Sequence, residues 1–184
     1  MIYPIVKYGD PVLETPATPV TEFDDKLQKL IEDMFESMYE AQGVGLAAPQ
    51  IGISLHLSVI DTSFKEDPGA RLVLANPRII SAEGKQTSGE GCLSLPDFRE
   101  NLTRSKRVTI QAQDAQGNWY EKTGEDLLAR AFQHEIDHLN GTLYIHHLSS
   151  LKRDMMRRKI KRMIRQGEWY PEQSGHTAPD AALP

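Results

Sequence analysis

The sequence predicts an α+β fold: mixed, mostly antiparallel β-sheets packed around a buried central helix that carries an HExxH motif, with an N-terminal helix and a C-terminal helix. Three observations lead there. Alternating or β-branched stretches are concentrated between residues 55 and 119. Runs with apolar residues at three- and four-residue steps lie on either side of them. One of those runs, after Gly124, holds His134 and His138 within its apolar stripe.

Each element has its own signal. Prolines at 4, 11, 16 and 19 suit an extended arm laid over the domain and are hostile to a helix. A helix follows, capped by Asp24 or Asp25, with Leu27, Leu30, Ile31, Met34, Phe35 and Met38 on one face and Gly43 as its stop. Leu55 to Asp61, Arg71 to Asn76 and Val108 to Asp114 read as strands, and Asp114 to Asn118 as a turn into a further strand at Trp119. From Gly124, the residues Leu127, Leu128, Ala131, Phe132 and Leu139 form a richer stripe than a solvent-facing helix needs. That helix is therefore expected between sheets, with its histidines facing inward. A last helix begins at Ser149 or Ser150, shows apolar positions at Leu151, Met155, Ile160, Met163 and Ile164, and ends at Gly167. The tail 171–184 is rich in Ser, Gly, Ala and Pro, has little to bury, and is expected to be disordered. Internal repeats are absent from the sequence.

With 184 residues, 39 % of them hydrophobic, the chain fits one soluble domain spanning 1–168. A secretory signal and a long apolar run are both lacking, so a cytoplasmic protein without a membrane partner is expected, and a monomer. The one cysteine, Cys92, excludes an internal disulfide and suits a reducing compartment. The net charge of −5 argues against broad nucleic-acid binding, but it is unevenly spread. Between Ser149 and Gly167, eight basic residues face one acid, Asp154. That segment is +7 and the rest of the chain −12, which points to an acidic partner for the basic end.

The chemistry is concentrated in Gln133-His-Glu-Ile-Asp-His138. Four residues apart on a helix, the two imidazoles share a face and can bind a divalent metal, while Glu135 handles protons beside it. The usual protease completions fail. Gly141 fits the extended zinc-protease motif, but Tyr144 stands where its third histidine belongs. A downstream glutamate ligand is also missing, since Asp154 is the only acid between Leu139 and Gln166. His146 and His147 are out of register. Cys92, in the glycine-flanked segment Gly89-Glu-Gly-Cys-Leu-Ser94, is the remaining candidate. As a thiolate with His134 and His138 it would make a three-ligand site with its fourth position open to water, the pattern of catalytic sites.

Three segments, Gly43-Val-Gly-Leu-Ala-Ala-Pro-Gln50, Glu90-Gly-Cys-Leu-Ser94 and Gln133-His-Glu-Ile-Asp-His138, resemble the three motifs of the peptide deformylase family, in that family's order. The similarity extends from the proline-rich arm through the basic last helix. It implies hydrolytic removal of the formyl group from the N-terminal formylmethionine of new polypeptides. By that resemblance Cys92, His134 and His138 hold one divalent ion, ferrous iron, with zinc, nickel or cobalt as substitutes. Activated water attacks the formyl carbon, Glu135 is general base and then general acid, and Gln50 with the Leu93 backbone N–H stabilises the oxyanion. Gly45 would let an extended substrate come close to the backbone, and Val44, Leu93 and the motif helix would line a methionine pocket. Glu90 and Arg99 resemble a family pair that orients the cysteine loop. Arg130 and Ala131 lie one turn before the motif without an assigned role. The basic helix Ser149 to Gly167 would meet the ribosome through RNA phosphates. Two alternatives remain open at this point: an HExxH metallopeptidase, which would cleave unformylated peptides, and a catalytically inactive deformylase-like binding protein.

Overall fold

The structure is a computed structural model that describes residues 1–170, and the expectation for 171–184 lies outside them. Up to Phe23 the chain is an extended arm whose only helical feature is a 3-10 turn at Pro11–Glu14. Its backbone grips the domain close to all three motifs. Val6 N–H donates to the Gln50 carbonyl (2.8 Å), Tyr8 N–H to that of Ser94 (2.8 Å) and Ala17 N–H to that of Leu139 (3.0 Å).

Helix α1 (Asp25–Glu40) starts where the Asp24 carboxylate accepts the Leu27 N–H at 3.0 Å. All six residues of its forecast apolar face are buried. At its end Gln42, not Gly43, takes the left-handed conformation (φ 58°), and Gly43 N–H closes the turn on the Met38 carbonyl at 2.9 Å.

Seven strands follow: β1 (Gly45–Ala47), β2 (Leu57–Ile60), β3 (Leu72–Glu83), β4 (Gln86–Cys92), β5 (Leu95–Arg104), β6 (Arg107–Gln113) and β7 (Trp119–Glu125). Five form an antiparallel sheet in the order β1-β2-β3-β6-β7, and β4-β5 is a separate hairpin. Strand β3 runs beyond the forecast end at Asn76. Asn76 is left-handed (φ 50°) and Pro77 has no N–H, yet the register against β6 shifts between Ala75 and Arg78 and pairing resumes. β1 is an edge strand, with nothing paired to its outer side among the described residues.

Helix α2 (Asp126–Leu139) lies between sheet and hairpin, with an apolar face towards the sheet and polar side chains towards the hairpin. Towards the sheet, Ala129, Phe132 and Ile136 pack on Ile60, Leu74, Val108, Ile110 and Ala112. Each large buried side chain there stabilises the fold by about 1.5–3 kcal/mol. Towards the hairpin, the Gln133 amide binds both the N–H and the carbonyl of Ser105 (3.0 Å each), and Arg130 donates to the Leu102 carbonyl (3.0 Å). Leu127 departs from the forecast stripe and is 46 % exposed.

Helix α3 (Ser150–Arg165) is capped by Ser149, whose hydroxyl accepts the Lys152 N–H at 3.3 Å. Its seam is narrower than forecast: Met156, Ile160 and Met163 pack inward, while Leu151 and Met155 are 70 % and 61 % exposed and Ile164 is also exposed. After it the chain folds back and buries Trp169, whose indole N–H donates to the Tyr8 carbonyl at 2.9 Å. No described helix is long and apolar enough to cross a membrane.

Candidate active site

The three motifs arrive from different directions. After β1 the chain makes a 3-10 turn at Ala48–Ile51 that buries Gln50. The Gln50 side-chain oxygen accepts the Ala47 N–H at 3.0 Å, which fixes the amide plane and leaves Nε2 3.6 Å from Cys92 Sγ and 3.3 Å from Ser94 Oγ. Cys92 ends β4 at a register irregularity, where Gly91 opposes Arg99 but Cys92 opposes Leu95. That tight reversal turns Cys92 and Leu93 towards α2 and keeps both only half-buried. From α2 the two histidines meet them: His134 and His138 place their Nε2 atoms 3.1 Å apart, and Cys92 Sγ lies 3.3 Å from His138 Nε2.

One donor atom from each of Cys92, His134 and His138 thus falls within 4.8 Å of the others. Two imidazole nitrogens and a sulfur at that separation fit a single divalent cation of the zinc, ferrous iron, cobalt or nickel type. The His134 tautomer agrees. Its Nδ1 lies 2.8 Å from the Glu90 carboxylate, so Nδ1–H donates outward and Nε2 faces the cluster.

Glu90 itself is buried and held by two guanidinium groups. Arg104 forks onto it through Nε (3.1 Å) and Nη2 (2.7 Å), and Arg130 Nη1 reaches it at 2.8 Å. Burial would push its pKa up, but the hydrogen bonds from His134 and Arg104 prevail and hold it well below the usual carboxylate range. Arg104 also holds Asp137 (2.7 Å), which in turn meets His147 (2.8 Å). The resemblance paired Glu90 with Arg99. Instead Arg99 donates to the Gly89 carbonyl at 3.0 Å, and Arg104 and Arg130 carry the ion pairs.

Glu135 points the other way, beside the cluster and against β1. A Cβ on Gly45 would come within 2.5 Å of its Oε1, so any side chain there would have to displace the carboxylate. Its other oxygen lies 3.5 Å from the hydroxyl of Ser58, a fully buried residue of β2. Burial raises its pKa to about 7. Such a carboxyl is poised for proton transfer near neutrality. Burial drives His138 well below its ordinary value, which suits a neutral ligand.

A cleft of about 650 Å³ opens over this cluster, and Gly43, Val44, Gly45, Gln50, Leu93 and Ala131 are among the residues that line it. All eight site residues read from the sequence (Val44, Gly45, Gln50, Cys92, Leu93, His134, Glu135, His138) therefore meet at or beneath one opening. His146 and His147 stand apart, on Glu14 (3.0 Å) and Asp137. Ser58, Arg104 and Asp137 went unnoticed in the sequence. Ser58 alone left a trace, as a small polar residue within an otherwise apolar strand, Leu57–Ile60.

An enzyme of the metal-dependent hydrolase class is what this fold and cluster describe, and the comparisons make the class specific. The model of the polypeptide deformylase family matches residues 2–154, and the chain belongs to that family. It is 62 % identical to the peptide deformylase of Acidobacterium capsulatum over 92 % of this chain and 99 % of that one. Among solved structures, the Legionella pneumophila peptide deformylase superposes with a TM-score of 0.84 at 47 % identity, covering 93 % of this chain and all of the other. That of Thermus thermophilus gives 0.81 at 42 %, covering 91 % and 98 %. The protein is accordingly a hydrolase of protein biosynthesis that removes the N-formyl group from the formylmethionine of newly made polypeptides.

Proposed function

We propose that deformylation takes place at the Cys92, His134, His138 cluster, with one ferrous ion as the resident metal and zinc, nickel or cobalt as substitutes. The convergence of these three side chains beside a buried carboxyl carries the proposal. When bound, the ion lowers the pKa of water and polarises the formyl oxygen. Glu135 takes a proton from the attacking water and returns it to the leaving amine. Gln50 Nε2, whose amide is oriented by the Ala47 N–H, and the Leu93 backbone N–H donate to the oxyanion. Gly45 admits the extended substrate as an added strand on the open edge of β1, and Val44, Leu93 and the exposed wall of α2 take up the methionine side chain.

Replacing Glu135 with Ala should leave metal content unchanged and lower turnover about 10²- to 10⁴-fold, the scale of a general acid/base. Unchanged formate release from formyl-Met peptides would remove Glu135 from the mechanism. Cleavage of unformylated peptides by the iron-loaded enzyme would favour a metallopeptidase.

The remaining features complete the proposal. A single catalytic domain spans 1–168 and acts as a monomer in the cytoplasm, where chains are made. Helix α3 docks on ribosomal RNA. The support for docking is its charge: Arg158, Lys161, Arg162 and Arg165 are all exposed and form no ion pair within the described residues. Reversing Lys161, Arg162 and Arg165 to Glu should weaken ribosome binding and flatten its salt dependence, with activity on short peptides retained. Undiminished binding would exclude this surface.

A further inference from the structure

The loop joining β2 to β3 brings Phe64 to the mouth of the cleft, where it lines the opening and is 61 % exposed. The only other large apolar side chain that both lines the cleft and stays exposed, among the described residues, is Leu127 at the start of α2. The backbone at Phe64 is also unusual. Phe64 (φ 54°) and the next residue, Lys65 (φ 72°), are consecutive non-glycine residues in the left-handed region, a conformation that costs free energy in side chains with a Cβ.

Three anchors hold this strained tip. Asp61 is fully buried; one of its oxygens accepts the Ser63 N–H (2.8 Å) and hydroxyl (2.6 Å), and the other accepts the Tyr39 hydroxyl and the Lys65 N–H (3.3 Å). The Lys65 ammonium sits 4.5 Å from the centre of the Tyr39 ring. Asp61 N–H donates to the carbonyl of Val44 at 2.9 Å, which ties the loop to the cleft wall itself. The fold thus holds the backbone on either side of Phe64 and presents its ring at the site entrance from a conformation that costs free energy.

An extended formyl peptide points successive side chains to opposite faces, so with the first buried in the cleft, one of the next two points away from the cleft floor, towards that entrance. We propose that Phe64 is a specificity-determining residue that seats an apolar side chain at one of the two substrate positions following formylmethionine. This rests on the reading that the cleft takes formyl peptides along β1.

Two peptide series, formyl-Met-X-Ser and formyl-Met-Ser-X with X as Leu, Phe, Ser or Asp, test it with the iron-loaded enzyme. In one series Leu and Phe should exceed Asp about tenfold in kcat/KM, mainly through KM, as partial burial of one aromatic face provides. Phe64→Asn keeps a residue that tolerates the left-handed backbone and removes the ring, and should bring that ratio within about twofold. Phe64→Tyr should preserve it. Equal kcat/KM for every X in both series, or a preference that survives Phe64→Asn, would overturn the proposal. Failure of the underlying reading looks different: no formate release even from formyl-Met-Ser-Ser, or release undiminished in Glu135→Gln, and the Phe64 assignment falls with it.

Discussion

Gly45→Ala is the sharpest single-atom probe of the site. Alanine costs nothing in backbone conformation here, because Gly45 lies in β1 without a positive φ, and by restricting the unfolded chain it would otherwise stabilise the protein by about 0.4–1 kcal/mol. The added methyl, however, lands 2.5 Å from Glu135 Oε1, 2.9 Å from its carboxyl carbon and 3.0 Å from Cγ. All three contacts fall on one buried side chain, so the carboxylate must shift. Overpacking of this kind costs about 1–3 kcal/mol, which outweighs the entropic gain. A shift of about 1 Å in a reacting group lowers rate about 10²-fold. The expected outcome is therefore a kcat/KM for formate release reduced about 10²-fold with metal content intact. The melting temperature should fall by about 2–4 °C for each kcal/mol lost. Activity within twofold of the parent, or a raised melting temperature, would show that Glu135 yields freely and that the glycine is not required by the carboxylate.

Arg104→Leu leaves Glu90 to Arg130 and Asp137 to His147, and urea unfolding should register about 3 kcal/mol of lost stability, the lower end for breaking a buried ion pair. Acid unfolding tests Asp61. Burial raises its pKa, yet bonds from Ser63 and Tyr39 bring it below its ordinary value. Its contribution is thus fully present above the unfolded pKa of about 3.9 and is lost as pH falls through the lower folded value. Asp61→Asn should lower stability at neutral pH and lessen the pH dependence below about 4; an unaltered acid limb would dismiss the linkage. Cys92→Ala should lose the metal on dialysis, and elemental analysis of anaerobic preparations would reveal retention if sulfur is not a ligand.

How far the sequence speaks depends on whether a residue's role is local. The faces of α1 and α2 were legible because burial follows helical period, and Cys92 was legible because the histidine helix lacked a third partner. Hairpin β4-β5 was not, since Gln86–Cys92 has no large apolar residue and its order comes from pairing and from Arg104 and Glu90 beneath it. Pro77 concealed the second half of β3, as a missing N–H reads as an end when a register shift can absorb it. For α3, several periodic stripes were compatible with the residues. The packing partners, chiefly the arm and Trp169, selected Met156 and Ile160 over Leu151 and Met155. The partner of Glu90 was open for a similar reason: Arg99 and Arg104 lie on opposite faces of one strand, and only the docking of the hairpin on the rest of the domain decides which face turns inward.

The bond from Trp169 to the Tyr8 carbonyl joins residues 161 positions apart and closes almost the whole described chain into a ring. Tyr8 also receives Arg157 on its hydroxyl (3.0 Å) and gives its own N–H to Ser94, two residues from Cys92. The two extremities are therefore coupled: withdrawing the indole removes one of the bonds that seat Tyr8, whose N–H backs the cysteine turn, while Val6 and Ala17 still hold the arm to the domain.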